Sequence, residues 1–154
     1  MTARGIAIVC GVLLGGFGGL GLRVTPGGPG EATFLIASWL LPITLFPAAA
    51  LAAALDSGIS RSVIGQATAL WPAHLGLALY GLVTGHRWLA AAGSGAHENY
   101  AAFFMVAVMA VHAGVFLVSG GVFALFPRTR PAGFQIWLAY PVLLGCWGLG
   151  GLLL

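Results

Sequence analysis

The chain has 154 residues, 60% of them hydrophobic, with six arginines, no lysine, three acidic residues and four histidines, and a mean hydropathy of +1.03. That composition lies outside the range of soluble globular proteins. The basic balance, with a pI near 9.4, rests on dispersed arginines rather than a cluster, so it marks membrane topology and not a nucleic-acid partner.

A hydrocarbon layer of roughly 30 Å needs about 20 apolar residues of helix. Five segments meet or approach that length: Gly5 to Leu22, Phe34 to Leu55, Val63 to Gly85, Tyr100 to Phe126 and Phe134 to Leu154. The expected fold is all-α, a single polytopic integral membrane bundle of about five transmembrane helices whose short connections make sequence neighbours antiparallel. Arg4, Arg61, Arg128 and Arg130 fall on the side of the N-terminus, and Arg23 and Arg87 fall opposite. By the positive-inside bias this places the N-terminus in the cytoplasm and the C-terminus outside, as in a bacterial cytoplasmic membrane.

In the first segment Arg4 precedes an apolar run, as in a signal peptide, but no Ala-x-Ala cleavage site follows before Arg23. Val9 before Cys10 and the short preceding run also argue against a lipoprotein site, so the segment is read as a mature helix. Gly11, Gly15 and Gly19 recur at four-residue spacing, with Gly16 and Gly18 beside them. A face stripped of side chains lets another helix approach closely, within this bundle or on another subunit. Cys10 and Cys146 fall at different depths and read as inert packing thiols.

The stretch from Arg23 to Thr33 contains Pro26, Gly27, Gly28, Pro29 and Gly30, which makes it an exposed turn. Pro42 and Pro47 in the second segment, Pro72 in the third and Pro141 in the fifth each remove a backbone donor and loosen the helix there. Trp39, Trp88 and Tyr100 near one boundary, with Trp137 and Tyr140 near the other, are expected to be interfacial anchors.

All four histidines lie in or just beside the third and fourth segments. His74 and His112 lie close to the midpoints of their segments, and an antiparallel hairpin would set both at one depth near the bilayer centre. An ionisable side chain there is costly and points to function. Ala67, Ala78, Gly81 and Gly85 leave space near the face of His74, while Met105, Met109 and Phe116 flank His112. Two neutral imidazoles facing across such a slot suit haem b. The competing reading is a histidine that donates to a carbonyl freed by Pro72 or to a serine such as Ser119.

His86 and His97 bracket the turn of the same hairpin, together with Arg87, Glu98, Asn99 and Tyr100. Arg87 would suit a haem propionate. A second haem is disfavoured, because the 12 residues from His74 to His86 correspond to a rotation of about 120°. His86, His97 and Glu98 form a weaker candidate metal set, or a site that accepts protons from a quinol, and a solvated polar turn accounts for them most simply. Met105 and Met109, one turn apart before His112, are soft enough for copper.

No P-loop, Gly-x-Ser-x-Gly, His-Glu-x-x-His or Cys-x-x-Cys motif occurs, and no close carboxylate pair is available. Independent catalysis is therefore not expected. The leading expectation is a small membrane subunit of an electron-transfer or respiratory complex that holds haem b between the third and fourth helices through His74 and His112. Its partners would be the lipid bilayer, other membrane subunits and quinone. The alternatives are a cofactor-free structural subunit and a small transporter or copper permease.

Overall fold

The computed structural model describes residues 2–25, 28–92 and 98–154, with side chains throughout except at 32 and 90–105. Five helices make up the described chain: α1 Ala3–Gly21, α2 Glu31–Leu55, α3 Val63–Ala92, α4 Glu98–Leu125 and α5 Arg130–Leu153. Each expected segment corresponds to one helix; α1, α2, α4 and α5 start two to four residues before the apolar runs and α3 ends seven beyond its run, while the other ends agree to within one residue. Hydropathy marks where lipid begins, whereas capping decides where the backbone stops being helical.

The start of α1 illustrates this. Thr2 caps it, its Oγ1 accepting the Gly5 amide at 3.2 Å. Asp56, just past the end of α2, accepts the Ala3 amide through Oδ2 at 3.1 Å and the Gly58 amide through Oδ1 at 2.9 Å. One carboxylate thus ties the start of α1 to the turn that leads into α3. The Gly58 and Ala3 amides hold its pKa below the usual carboxylate range. A folded pKa below the unfolded value of about 3.9 means that this tie stabilises the fold above about pH 4 and is lost as pH falls through the folded pKa. Asp56→Ala should therefore unfold at a lower temperature than wild type at neutral pH, with the gap narrowing as pH is lowered past about 4. A gap that stays constant down to pH 3 in a thermal-melt series would remove the carboxylate from this role.

At the same end of the bundle, α4 turns tightly into α5. The Thr129 and Arg130 amides both donate to the Phe126 carbonyl, at 2.9 and 3.1 Å, and Thr129 Oγ1 donates to the Phe123 carbonyl at 2.8 Å. Pro131 then occupies the first turn of α5, where its missing N–H costs nothing.

α3 lies between α1 and α5 and makes its broadest contacts with these two helices. Glycine permits both approaches. A Cβ at Gly76 would overlap the Gly11 backbone, and one at Gly11 would overlap the Pro72 carbonyl. On the other flank, a Cβ at Gly85 would overlap the Trp147 backbone, and one at Gly150 the Leu82 carbonyl. α2 packs across α1, α3 and α5, while α4 rests mainly on α5, touches α2 and scarcely meets α3.

Among the described residues, four of the five helices are long and apolar enough to cross a membrane, and α3, which carries Gln66, Pro72 and His74, is not among them. The outer surface is built from exposed large apolar side chains such as Val12, Ile64, Val118 and Leu152, as befits an integral membrane chain in contact with lipid.

The tryptophans depart from the expected girdle. Trp39 and Trp88 are buried and pack edge to face at 5.4 Å, and Trp147 of α5 joins them, 4.8 Å from Trp39 and 5.9 Å from Trp88. They form an interior aromatic cluster because α5 brings its own tryptophan against both of the others. Trp137, by contrast, is exposed and donates through Nε1 to the Leu117 carbonyl at 3.3 Å.

Candidate functional site

The two central histidines sit in separate places on different helix pairs. The first is His74 of α3. Its Nε2 is 3.0 Å from Oε1 of Gln135 on α5, and Gln135 Nε2 donates onward to the Val63 carbonyl at the start of α3, at 3.4 Å. Gln135 is buried, and Phe46 of α2 meets the imidazole edge to face at 4.7 Å. Read as the Nε2–H tautomer, His74 donates to the amide oxygen, the amide donates to the backbone, and α3 is bonded to α5 in the apolar interior, where an unpaired polar group would be expensive.

The second is His112 of α4. Both ring nitrogens face carbonyl oxygens: Nδ1 lies 3.1 Å from Val108 O on its own helix, and Nε2 meets Trp39 O on α2. A neutral imidazole carries one N–H, and the Nε2 contact is the one that bridges two helices. Trp39 stands in the turn before Pro42, whose missing N–H frees the neighbouring Ser38 carbonyl rather than that of Trp39. The Trp39 ring also stacks edge-on against the imidazole at 4.5 Å. This resembles the competing expectation only in that a histidine meets a backbone carbonyl, since neither Pro72 nor Pro42 frees the carbonyl of Trp39.

The structure does not bring His74 and His112 together. α5 and α2 stand where the hairpin would have closed, and along α2 the two rings attach at Phe46 and Trp39, seven residues or roughly 10 Å apart. Each imidazole is held by a different partner helix.

Arg87 lies at the opposite end of the bundle from Asp56. Its Nη2 donates to the Leu22 carbonyl at 2.6 Å, which places a cation at the C-terminus of α1 and satisfies a carbonyl that the helix leaves open. Its Nε is buried without a partner. His86 is half-buried on the same helix. His97 and the side chains of Glu98 and Met105 lie outside the described residues. Among the described residues no group of three or more histidine, cysteine or acidic side chains is placed to hold a metal ion.

Beside His112, α2 and α4 diverge to leave an apolar groove of about 320 Å³ lined by Ile36, Trp39, Leu40, Ile43, Val108 and Val111. The groove is nearly without polar surface, so it suits hydrocarbon and offers no polar recognition.

The residues that sequence reading passed over are Gln66, Gln135 and Trp147. The two glutamines carried a usable signal, since an amide inside an apolar helical run needs a buried partner. Trp147 carried none, because its role depends on how α5 is rotated. Comparison with known protein families, with curated proteins and with solved structures finds no match to this chain.

Proposed function

We propose that the chain is a small integral membrane subunit of a larger membrane assembly, and that its own contribution is helix packing rather than cofactor chemistry. In this reading all five helices cross the bilayer. α3 tolerates Gln66 and His74 because α1 and α5 flank it, and the arginine-rich end faces the cytoplasm of a bacterial cell.

The observation that carries the reading is the division of the glycines. Gly11, Gly76, Gly85 and Gly150 are consumed by close approaches inside the bundle, whereas Gly16 and Gly19 of α1, Gly114 of α4 and Gly145 and Gly148 of α5 have nothing within 4 Å of where a Cβ would sit. A glycine costs a helix about 1 kcal/mol relative to alanine. Outside the bundle that cost is recovered when another helix packs against the bare backbone. The imidazoles support the same reading, because His74 and His112 are already occupied in pinning α3 to α5 and α4 to α2. Haem b or copper, as in an electron-transfer subunit or a copper permease, would at His112 first require one of its two carbonyl contacts to open, and at His74 would have to bind through Nδ1, the nitrogen turned away from Gln135.

The test has two arms on the purified chain and its native membrane. Wild type is expected to be colourless in a dithionite-reduced minus oxidised spectrum and free of stoichiometric copper. Gly145→Leu/Gly148→Leu and Gly16→Leu/Gly19→Leu are expected to fold but to migrate as a free chain instead of in a large native complex. A b-type α-band that disappears in both His74→Ala and His112→Ala would overturn the reading in favour of a haem-bearing subunit.

A further inference from the structure

At the arginine-rich end of the bundle, the end of α2, the turn into α3 and the α4–α5 turn enclose a second, partly sheltered pocket of about 350 Å³, distinct from the groove beside His112. Its walls are apolar on the α2 side, at Ala53, Ala54 and Leu55, and apart from Ile59 polar elsewhere. Arg61 reaches it from the turn before α3 and Arg128 from the turn before α5. Both arginines are exposed, and no hydrogen bond or ion pair engages either guanidinium among the described residues. Gln66 lines the same pocket from α3; only 2% of its surface is exposed, and its Oε1 has no hydrogen-bond partner.

These groups ask for a particular chemistry. Two unpaired guanidiniums at one mouth suit a phosphate, which arginine binds through paired, charge-assisted hydrogen bonds. A buried acceptor that lacks a donor asks for a hydroxyl beside that phosphate, since leaving it unmet costs about 1–3 kcal/mol. Asp56 borders the pocket as well, and although its two oxygens already serve the Ala3 and Gly58 amides, its charge disfavours a bare, doubly charged phosphate relative to a singly charged diester. The pocket opens at the end of a lipid-facing helix, where Leu55 is 73% exposed, and basic pockets between transmembrane helices on the cytoplasmic side are where anionic headgroups lodge.

We infer that this pocket binds the glycerophosphate headgroup of an anionic phospholipid, with Arg61 and Arg128 on the phosphodiester and Gln66 Oε1 accepting from a headgroup hydroxyl. The acyl chains lie along the apolar end of α2. The inference is independent of whether the chain carries haem or packs within a complex.

The experiment is native mass spectrometry of the detergent-solubilised full chain titrated with phosphatidylglycerol, phosphatidic acid, phosphatidylcholine or soluble glycerol 3-phosphate. Phosphatidylglycerol is expected to bind as one retained molecule, at least tenfold more tightly than phosphatidylcholine. Arg61→Gln/Arg128→Gln is expected to abolish that preference while helicity and unfolding temperature stay unchanged, because both side chains are exposed. Gln66→Leu is expected to bring phosphatidylglycerol down to the level of phosphatidic acid, which lacks the hydroxyl. Equal retention of phosphatidylglycerol and phosphatidylcholine, or a preference that survives in the double arginine variant, overturns the site. Glycerol 3-phosphate binding as tightly as the lipid overturns the lipid as its source.

Discussion

Gly76→Ala is expected to lower the stability of the bundle by about 3 kcal/mol, near the upper end for overpacking in a closely packed interior, whereas Gly16→Ala is expected to leave it unchanged or raise it by up to about 1 kcal/mol. The two substitutions add the same methyl group to helices in the same interface region, and only the surroundings differ. At Gly76 the methyl would occupy the Gly11 backbone, and at Gly11 it would occupy the Pro72 carbonyl. Backbone cannot change rotamer, so α1 and α3 must separate over several turns, and dispersion contacts along their whole seam weaken with them. At Gly16 the methyl meets open space, so only the helix-propensity gain remains. Gly150→Ala should behave like Gly76→Ala, because its methyl would meet the Leu82 carbonyl. Unfolding midpoints in a denaturant series in mild detergent measure all three. Equal midpoints for Gly76→Ala and Gly16→Ala would falsify the backbone-contact account of the α1–α3 seam.

The same seam shows what the sequence could and could not disclose. Four-residue spacing singled out Gly11, Gly15 and Gly19, and α1 does use a glycine face. It uses Gly11 and Gly18, while Gly15 is loosely approached and Gly19 is open. The reason is helical geometry: at about 100° per residue, seven residues return to within roughly 20° of the starting face, whereas eight overshoot by roughly 80°. The number of helices and their approximate centres were legible, because apolar runs of membrane length have few other uses. Their ends were not, because Thr2, Asp56 and Thr129 settle them through hydrogen bonds that hydropathy does not encode. That both central histidines lie in helical runs was legible as well. Their surroundings were not, since counting residues fixes depth along a helix but not rotation about it, and helices adjacent in sequence need not be adjacent in space. Here α5 packs against α3 in the place that the hairpin reading gave to α4, and Gln135 rather than His112 becomes the partner of His74.

His112→Ala is the substitution expected to act most selectively on the periphery. α4 is secured to α5 along much of its length, partly through the Tyr140 hydroxyl, which donates to the Met109 carbonyl at 2.8 Å, and through Trp137 Nε1 on the Leu117 carbonyl at 3.3 Å. Toward α2 its contacts are sparse, and the Nε2 bond from His112 to Trp39 O is the polar link that bridges the two helices among the described residues. Removing the imidazole leaves that carbonyl without its side-chain partner at the edge of an apolar groove. It also removes the ring that packs on Trp39 at 4.5 Å. The lost bond costs about 1 kcal/mol and the cavity left by a buried ring about 2 kcal/mol more, for a total of about 3 kcal/mol. The loss should be local: amide exchange around residues 36–43 of α2 and 106–112 of α4 should accelerate at least tenfold in detergent, while the α1–α3 and α3–α5 seams keep their protection. His74→Ala should show the complementary pattern, loosening α3 from α5 near Gln135 and leaving the α2–α4 contact intact. If the two imidazoles instead shared one bound group, each substitution would loosen both places together, so the exchange pattern alone separates two independent helix pins from a common ligand.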